Sequence, residues 1–195
     1  MIKKIFFTTT LLAMSNLALA ERPSFSYFEA GATELEHDLV VGDFTGFELT
    51  GSYELPDNFY IVGKAVITSD KDLDLDMETK TIGIGYHEKI FSNTVLFAQA
   101  DAVAVVFSRP ESGQFDEQGY QFSVGIKSQI IDNLEVELTY KRLSTGEVDE
   151  DFGDYRVDYA LLGLHYIVAS GVGIYADYEK EDDSERTVVG IRYEF

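Results

Sequence analysis

The chain has 195 residues, 35 of them acidic against 15 basic, for a net charge of -20. That charge repels nucleic-acid phosphates and anionic lipid headgroups, which argues against docking on either. The 12 tyrosines and 14 phenylalanines argue against a disordered chain, and the absence of cysteine rules out disulfides and thiol-linked lipid anchors.

Residues 1–20 begin with Lys3 and Lys4, continue through an apolar stretch too short for a comfortable spanning helix, and end on Ala18-Leu19-Ala20. This pattern predicts a secretory signal peptide cleaved before Glu21, leaving residues 21–195 as one domain.

From Phe25 onward the sequence alternates apolar and polar residues in runs of about ten, the mark of strands with one apolar face. The first run opens at Phe25 and leads through "TELEHDLVVGD" into the second, "GFELTGSYEL" (46–55). After the short "PDN", a third run opens at Phe59, and "TSDKDLDLDME" joins it to "TKTIGIGYHE" (79–88). "EKIFSN" then leads to a run at Thr94, "SRPESGQFDEQ" to "GYQFSVGIKS" (119–128), and "IDN" to a run at Leu134. Finally "STGEVDEDFGD" precedes "DYALLGLHYI" (158–167), "ASG" precedes a run at Val172, and "EKEDDSE" precedes "RTVVGIRYEF" (186–195).

Two regularities stand out. An apolar-Gly-apolar core recurs at Ile82-Gly83-Ile84, Val124-Gly125-Ile126, Leu162-Gly163-Leu164 and Val189-Gly190-Ile191, so one hairpin is reiterated. Connections alternate between short turns and long acidic loops, as in transmembrane β-barrels. No sequence to spare forms a helical layer over a ten-strand sheet, so the expected architecture is a closed, up-and-down antiparallel barrel, with eight strands as the alternative count. Ten residues at about 3.3 Å each, tilted near 45°, span roughly the 25 Å of a membrane barrel's apolar band.

"LEVELTYKR" shows the two faces: Leu134, Val136, Leu138 and Tyr140 against Glu135, Glu137, Thr139 and Lys141. With the apolar face toward lipid, the expected polar lumen holds Glu29, Glu48, Lys64, Gln99, Asp101, Gln121, Lys127, Glu135, Glu137, Lys141, Asp177 and Arg192. Closure of the first strand on the last places Glu29 near Arg192, which predicts an ion pair at that seam. The alternation also permits a soluble periplasmic lipocalin-like carrier with its apolar face inward.

The final strand, with Val189, Ile191, Tyr193 and terminal Phe195 alternating, resembles the assembly signal that outer-membrane barrels present to the barrel-insertion machinery. "SYFEAGA", "GFELTGSYELPDNFYIVG" and "TIGIGYHEKI" are similar to the small OmpA/OmpX-like "porin family" barrels, closest to the quorum- and immunity-activating-factor branch. That resemblance implies residence in the outer membrane of a Gram-negative cell among lipid and lipopolysaccharide, with termini in the periplasm and acidic loops outside.

Chemistry is harder to find. His37 lies with Asp38 in the first long loop, while His87 and His165 lie near short turns and read as lumen residues. No motif fixes an acid-histidine pair of the kind omptin proteases use, nor a Ser-His arrangement for a lipid-modifying enzyme. The carboxylates Asp72, Asp74 and Asp76 lack the glycine and twelfth-position glutamate of a calcium loop, and 149–154 ("DEDFGD") reads as an acidic rim. The expectation is a non-enzymatic barrel without cofactor or resident metal, either structural or a narrow pore preferring small cations. A barrel-borne surface hydrolase or lipid-modifying enzyme is the alternative.

Overall fold

The computed structural model describes residues 23–37, 43–70, 74–109, 113–145 and 155–195. The signal-peptide assignment, Asp38, Asp72 and the cluster 149–154 therefore lie outside the described residues, as does the side chain of His37.

Each alternating run forms a strand: β1 (Tyr27–His37), β2 (Asp43–Glu54), β3 (Phe59–Asp70), β4 (Leu75–Phe91), β5 (Thr94–Arg109), β6 (Gly113–Ile131), β7 (Leu134–Thr145), β8 (Tyr155–Ala169), β9 (Val172–Lys180) and β10 (Ser184–Glu194). Sequential neighbours pair antiparallel, and β1 pairs with β10, so the ten strands close into a barrel. Closure satisfies the backbone groups of the first and last strands, which an open sheet would leave unpaired.

Short turns carry the residues such geometry needs. Asp57 and Asn58 take positive φ in the 3-10 turn at Pro56–Asn58, and Ser170 and Gly171 do so between β8 and β9. Asp and Asn tolerate this region because their side chains bond locally, and glycine has no Cβ to clash. Register slips at Lys89/Phe91, Gln129/Ile131 and Ile167/Ala169 lie beside three of these turns.

Outward-facing positions form a continuous apolar belt: Phe47 is 72 % exposed and Ile82 70 %, with Ile67, Phe122, Leu138, Val189 and Ile191 also bare. An apolar surface of that extent is unstable in water and suits hydrocarbon. Inward positions between the same residues are buried and largely polar. The opposite arrangement, a soluble carrier with its apolar face inside, is thereby excluded over this stretch.

The strands overrun the expected ten residues: β4 has 17, β5 has 16 and β6 has 19. Much of "TSDKDLDLDME" and "SRPESGQFDEQ", expected as loop, is ladder, with Thr68 opposite Met77 and Val105 opposite Glu117. In this upper wall the polarity of the faces inverts. Glu34, Lys80, Arg142 and Asp158 point outward and are exposed, whereas Phe44, Val66, Val103, Val157 and Val188 point inward and are buried. The physical reason is a change of solvent. Where the wall leaves the lipid, water solvates the outside, and apolar side chains are stable only within.

Candidate functional site in the barrel lumen

The chain enters the barrel from its short-turn end by an N-terminal segment that turns inward before β1 begins. Phe25, expected to open the first strand, lies ahead of it as a buried wedge. Ser52 donates its hydroxyl to the Phe25 carbonyl at 2.8 Å, and Ser26 Oγ accepts from the Glu54 amide at 3.0 Å. The Phe25 ring stacks on His87 at 4.2 Å between centroids and packs against Tyr60 and Phe97. Tyr60, Val62, Val95 and Phe97 complete this apolar cluster at the short-turn end of the interior.

Above the wedge lies the seam. Register sets Glu29 opposite Arg192, and Arg192 Nη1 approaches Glu29 Oε1 at 3.3 Å, so the ion pair expected from closure is present. Arg192 is 2 % exposed and gathers further partners: Glu194 Oε1 at 3.0 Å, Glu135 Oε1 at 3.6 Å, and the Ser24 carbonyl at 3.1 Å. Its guanidinium sits 3.9 Å over the Tyr27 ring. One atom of His165 is contested: Nδ1 lies 2.5 Å from Arg192 Nη1 and 2.9 Å from Glu135 Oε1. It can accept from the guanidinium or donate to the carboxylate, but a single nitrogen does not do both. Nε2 of the same ring faces Asp177 at 3.5 Å.

Lys127 links this seam to the aromatic wedge. Its ammonium lies 3.1 Å from Glu137 and 3.8 Å from Glu135, and 5.1 Å over each of the Phe25 and Tyr27 rings. Toward the long loops a second network spans the lumen: Lys64 to Glu48 at 2.8 Å, Arg186 to both Glu48 and Glu179, and Lys141 to Glu179 at 2.5 Å. Along one wall Asp101 accepts from Gln99 at 2.8 Å and from Gln121 at 3.2 Å, while Tyr60 donates to Gln99 at 2.9 Å. Charges removed from water persist only when paired in this way.

The recurring glycines have a structural cause. Gly83 and Gly125 face the lumen, and a Cβ on Gly83 would lie 1.9 Å from Asp101 Oδ1, while one on Gly125 would lie 2.5 Å from the Phe97 ring. Bare backbone in the wall makes room for bulky or charged neighbours, so the repeat is a packing device.

Glu29, Glu48, Lys64, Asp101, Lys127, Glu137, Lys141 and Arg192 point to the inside of the wall, divided between the two networks and the Asp101 wall. Sequence reasoning missed Arg186 and Glu179 as members, although Arg186 shares Arg192's parity on β10. Val189, Ile191, Tyr193 and Phe195 face outward. His87 and His165 are lumen residues amid aromatic rings and carboxylates. Among the described residues no group of three potential metal ligands is assembled.

No protein-family model matches the chain, and no curated protein sequence is similar to it. Solved structures are similar in fold. The NanC porin matches 87 % of this chain and 100 % of its own at 6 % identity, with a TM-score of 0.54. The β-domain of the Bordetella autotransporter BrkA matches 87 % and 98 % at 11 % identity, with the same TM-score of 0.54.

Proposed function

We propose that the chain is a non-enzymatic outer-membrane barrel whose lumen is closed, so that it serves the envelope as a structural, surface-displaying element rather than a conduit. The observation that carries this reading is the seam cluster, where Arg192, Lys127 and their carboxylates meet across the interior directly above the Phe25 wedge. A permeating ion would have to break buried ion pairs that cross its path. Export by the expected signal peptide, the lipid-facing belt and the barrel fold support an outer-membrane location. Within that class the sequence most resembles the small OmpA/OmpX-like barrels.

The partners of this reading are outer-membrane lipid, lipopolysaccharide around the upper wall, and the barrel-insertion machinery acting on Val189, Ile191, Tyr193 and Phe195. A second reading, a narrow pore preferring small cations, draws on the excess of lumen carboxylates around the seam, which concentrates cations. Planar-bilayer conductance separates the two. The closed-lumen reading expects silence from the unmodified protein and small steps once Phe25→Ala and Arg192→Ala together remove the wedge and open the seam. Steady cation-selective steps in the unmodified protein would establish the pore instead.

A further inference from the structure

The outward apolar face continues into the short turns. Where β6 turns into β7, a register slip between Gln129 and Ile131 leaves two consecutive side chains bare, Ile130 at 58 % and Ile131 at 60 % exposure. The first residue of β7, Leu134, pairs with Ile131 on one side and with Tyr166 of β8 on the other. Between the turn and Tyr166 lies an open cavity of about 570 Å³, lined by Ile130, Ile131, Asp132, Asn133 and Tyr166. That volume is in the range of small-ligand sites.

Hydrogen bonds hold this turn in place from both sides. Asn93, in the neighbouring turn from β4 to β5, donates its side-chain amide to the Gln129 carbonyl at 2.8 Å, and its own carbonyl accepts from the Gln129 backbone amide at 2.9 Å. Gln129 donates its side chain to the Asp132 carbonyl at 2.6 Å, and the Ile167 amide donates to the Asn133 carbonyl at 2.8 Å. A site fixed in this way loses little conformational freedom when it is filled.

Depth and charge define the occupant. Tyr53, Tyr86, Tyr166 and Tyr193 are exposed on the outside at this end, and amphipathic rings of that kind settle at headgroup depth. The cavity therefore opens where hydrocarbon gives way to headgroups. Its two isoleucines suit an acyl chain, while the Asp132 carboxylate and the face of the Tyr166 ring both attract a cation.

We propose that the cavity binds a phospholipid whose headgroup carries a primary ammonium, its N–H groups donating to the Asp132 carboxylate beside the Tyr166 ring and an acyl chain lying along Ile130 and Ile131. This rests on the barrel standing in a membrane, and not on whether the lumen conducts.

The chain contains no tryptophan, so Tyr166→Trp installs a single indole at the cavity and keeps an aromatic face there. Phe28→Trp installs one on the lipid face of β1, away from the cavity. Both full-length variants are refolded in phosphatidylcholine vesicles that contain a fixed fraction of bromine-labelled lipid, either phosphatidylethanolamine or phosphatidylcholine with the same acyl chains. At position 166 the labelled phosphatidylethanolamine is expected to quench as though about threefold more concentrated than the labelled phosphatidylcholine, the scale of one exposed ion pair. At position 28 the two lipids quench alike, and adding Asp132→Asn to Tyr166→Trp brings them level at position 166. Equal quenching by both lipids at position 166 would overturn the proposal, and so would a preference that survives Asp132→Asn. If Tyr166→Trp fails to give the heat-modifiable folded band, Val168→Trp carries the same test. Absence of quenching by either lipid at position 28 would overturn the membrane reading and the proposal with it, which separates that failure from failure of the site alone.

Discussion

Replacing Arg192 by methionine tests whether the seam is a dry, paired cluster. The guanidinium is 2 % exposed and lies within 4.0 Å of carboxylate oxygens on Glu29, Glu135 and Glu194, at 3.3, 3.6 and 3.0 Å. Methionine keeps much of the volume but none of the charge, so three carboxylates converge on an apolar side chain. Breaking a buried pair by removing one partner costs about 3–5 kcal/mol, chiefly because the remaining charge has lost its compensation. That corresponds to at least a hundredfold, roughly, in the folding equilibrium. The assay is equilibrium urea unfolding from phospholipid vesicles, followed by far-ultraviolet circular dichroism and by heat-modifiable gel mobility. Adding Glu29→Gln to Arg192→Met removes one stranded charge and should return about 1 kcal/mol or more, a coupling that a purely steric effect would not show. If Arg192→Met unfolds within about 1 kcal/mol of the unmodified protein, the seam is hydrated and the closure argument fails.

Other variants probe the wall. Ile84→Arg puts a charge in the lipid belt and is expected to cost about 2–4 kcal/mol in the same unfolding assay, whereas Glu34→Arg, on the outside but above the belt, should leave stability unchanged. Gly83→Ala forces a methyl against Asp101 Oδ1 and the Ala100 carbonyl; the expected loss is about 1–3 kcal/mol, measured by urea midpoint. Phe195→Ala should lower the folded barrel recovered from cell envelopes severalfold while leaving unfolding of the purified barrel nearly unchanged. An equal loss in both measurements would assign Phe195 to stability rather than to recognition during assembly.

Strand number, pairing order and the Glu29–Arg192 seam were legible because each follows from a two-residue period and a closed wall. In β4, however, the period is kept while its phase changes. Ile82 and Ile84 are apolar at even positions facing out, and Leu75 and Met77 are apolar at odd positions turned inward, with Thr79, Lys80 and Thr81 between them. Read as one pattern, the segment loses its alternation at that junction and looks like loop. The same phase change occurs in β1 between Ala32 and Leu35 and in β7 between Tyr140 and Leu143. The lumen networks were legible as membership but not as pairing. Nothing local to "GLHYI" says that His165 will meet Glu135 from β7, Asp177 from β9 and Arg192 from β10. Phe25 was misread because an aromatic residue one step ahead of a strand carries the same alternation as the strand itself.

The inversion of faces along the wall also fixes how deep the barrel floats. Membrane barrels commonly hold their level with aromatic girdles, and here tryptophan is absent. Sinking by two residues, about 6.6 Å of strand, would carry Glu34, Lys80 and Asp158 toward hydrocarbon. Rising by as much would strip lipid from Ile126 and Leu164. Both displacements are opposed, so the boundary where the pattern changes phase acts as a waterline drawn into the sequence.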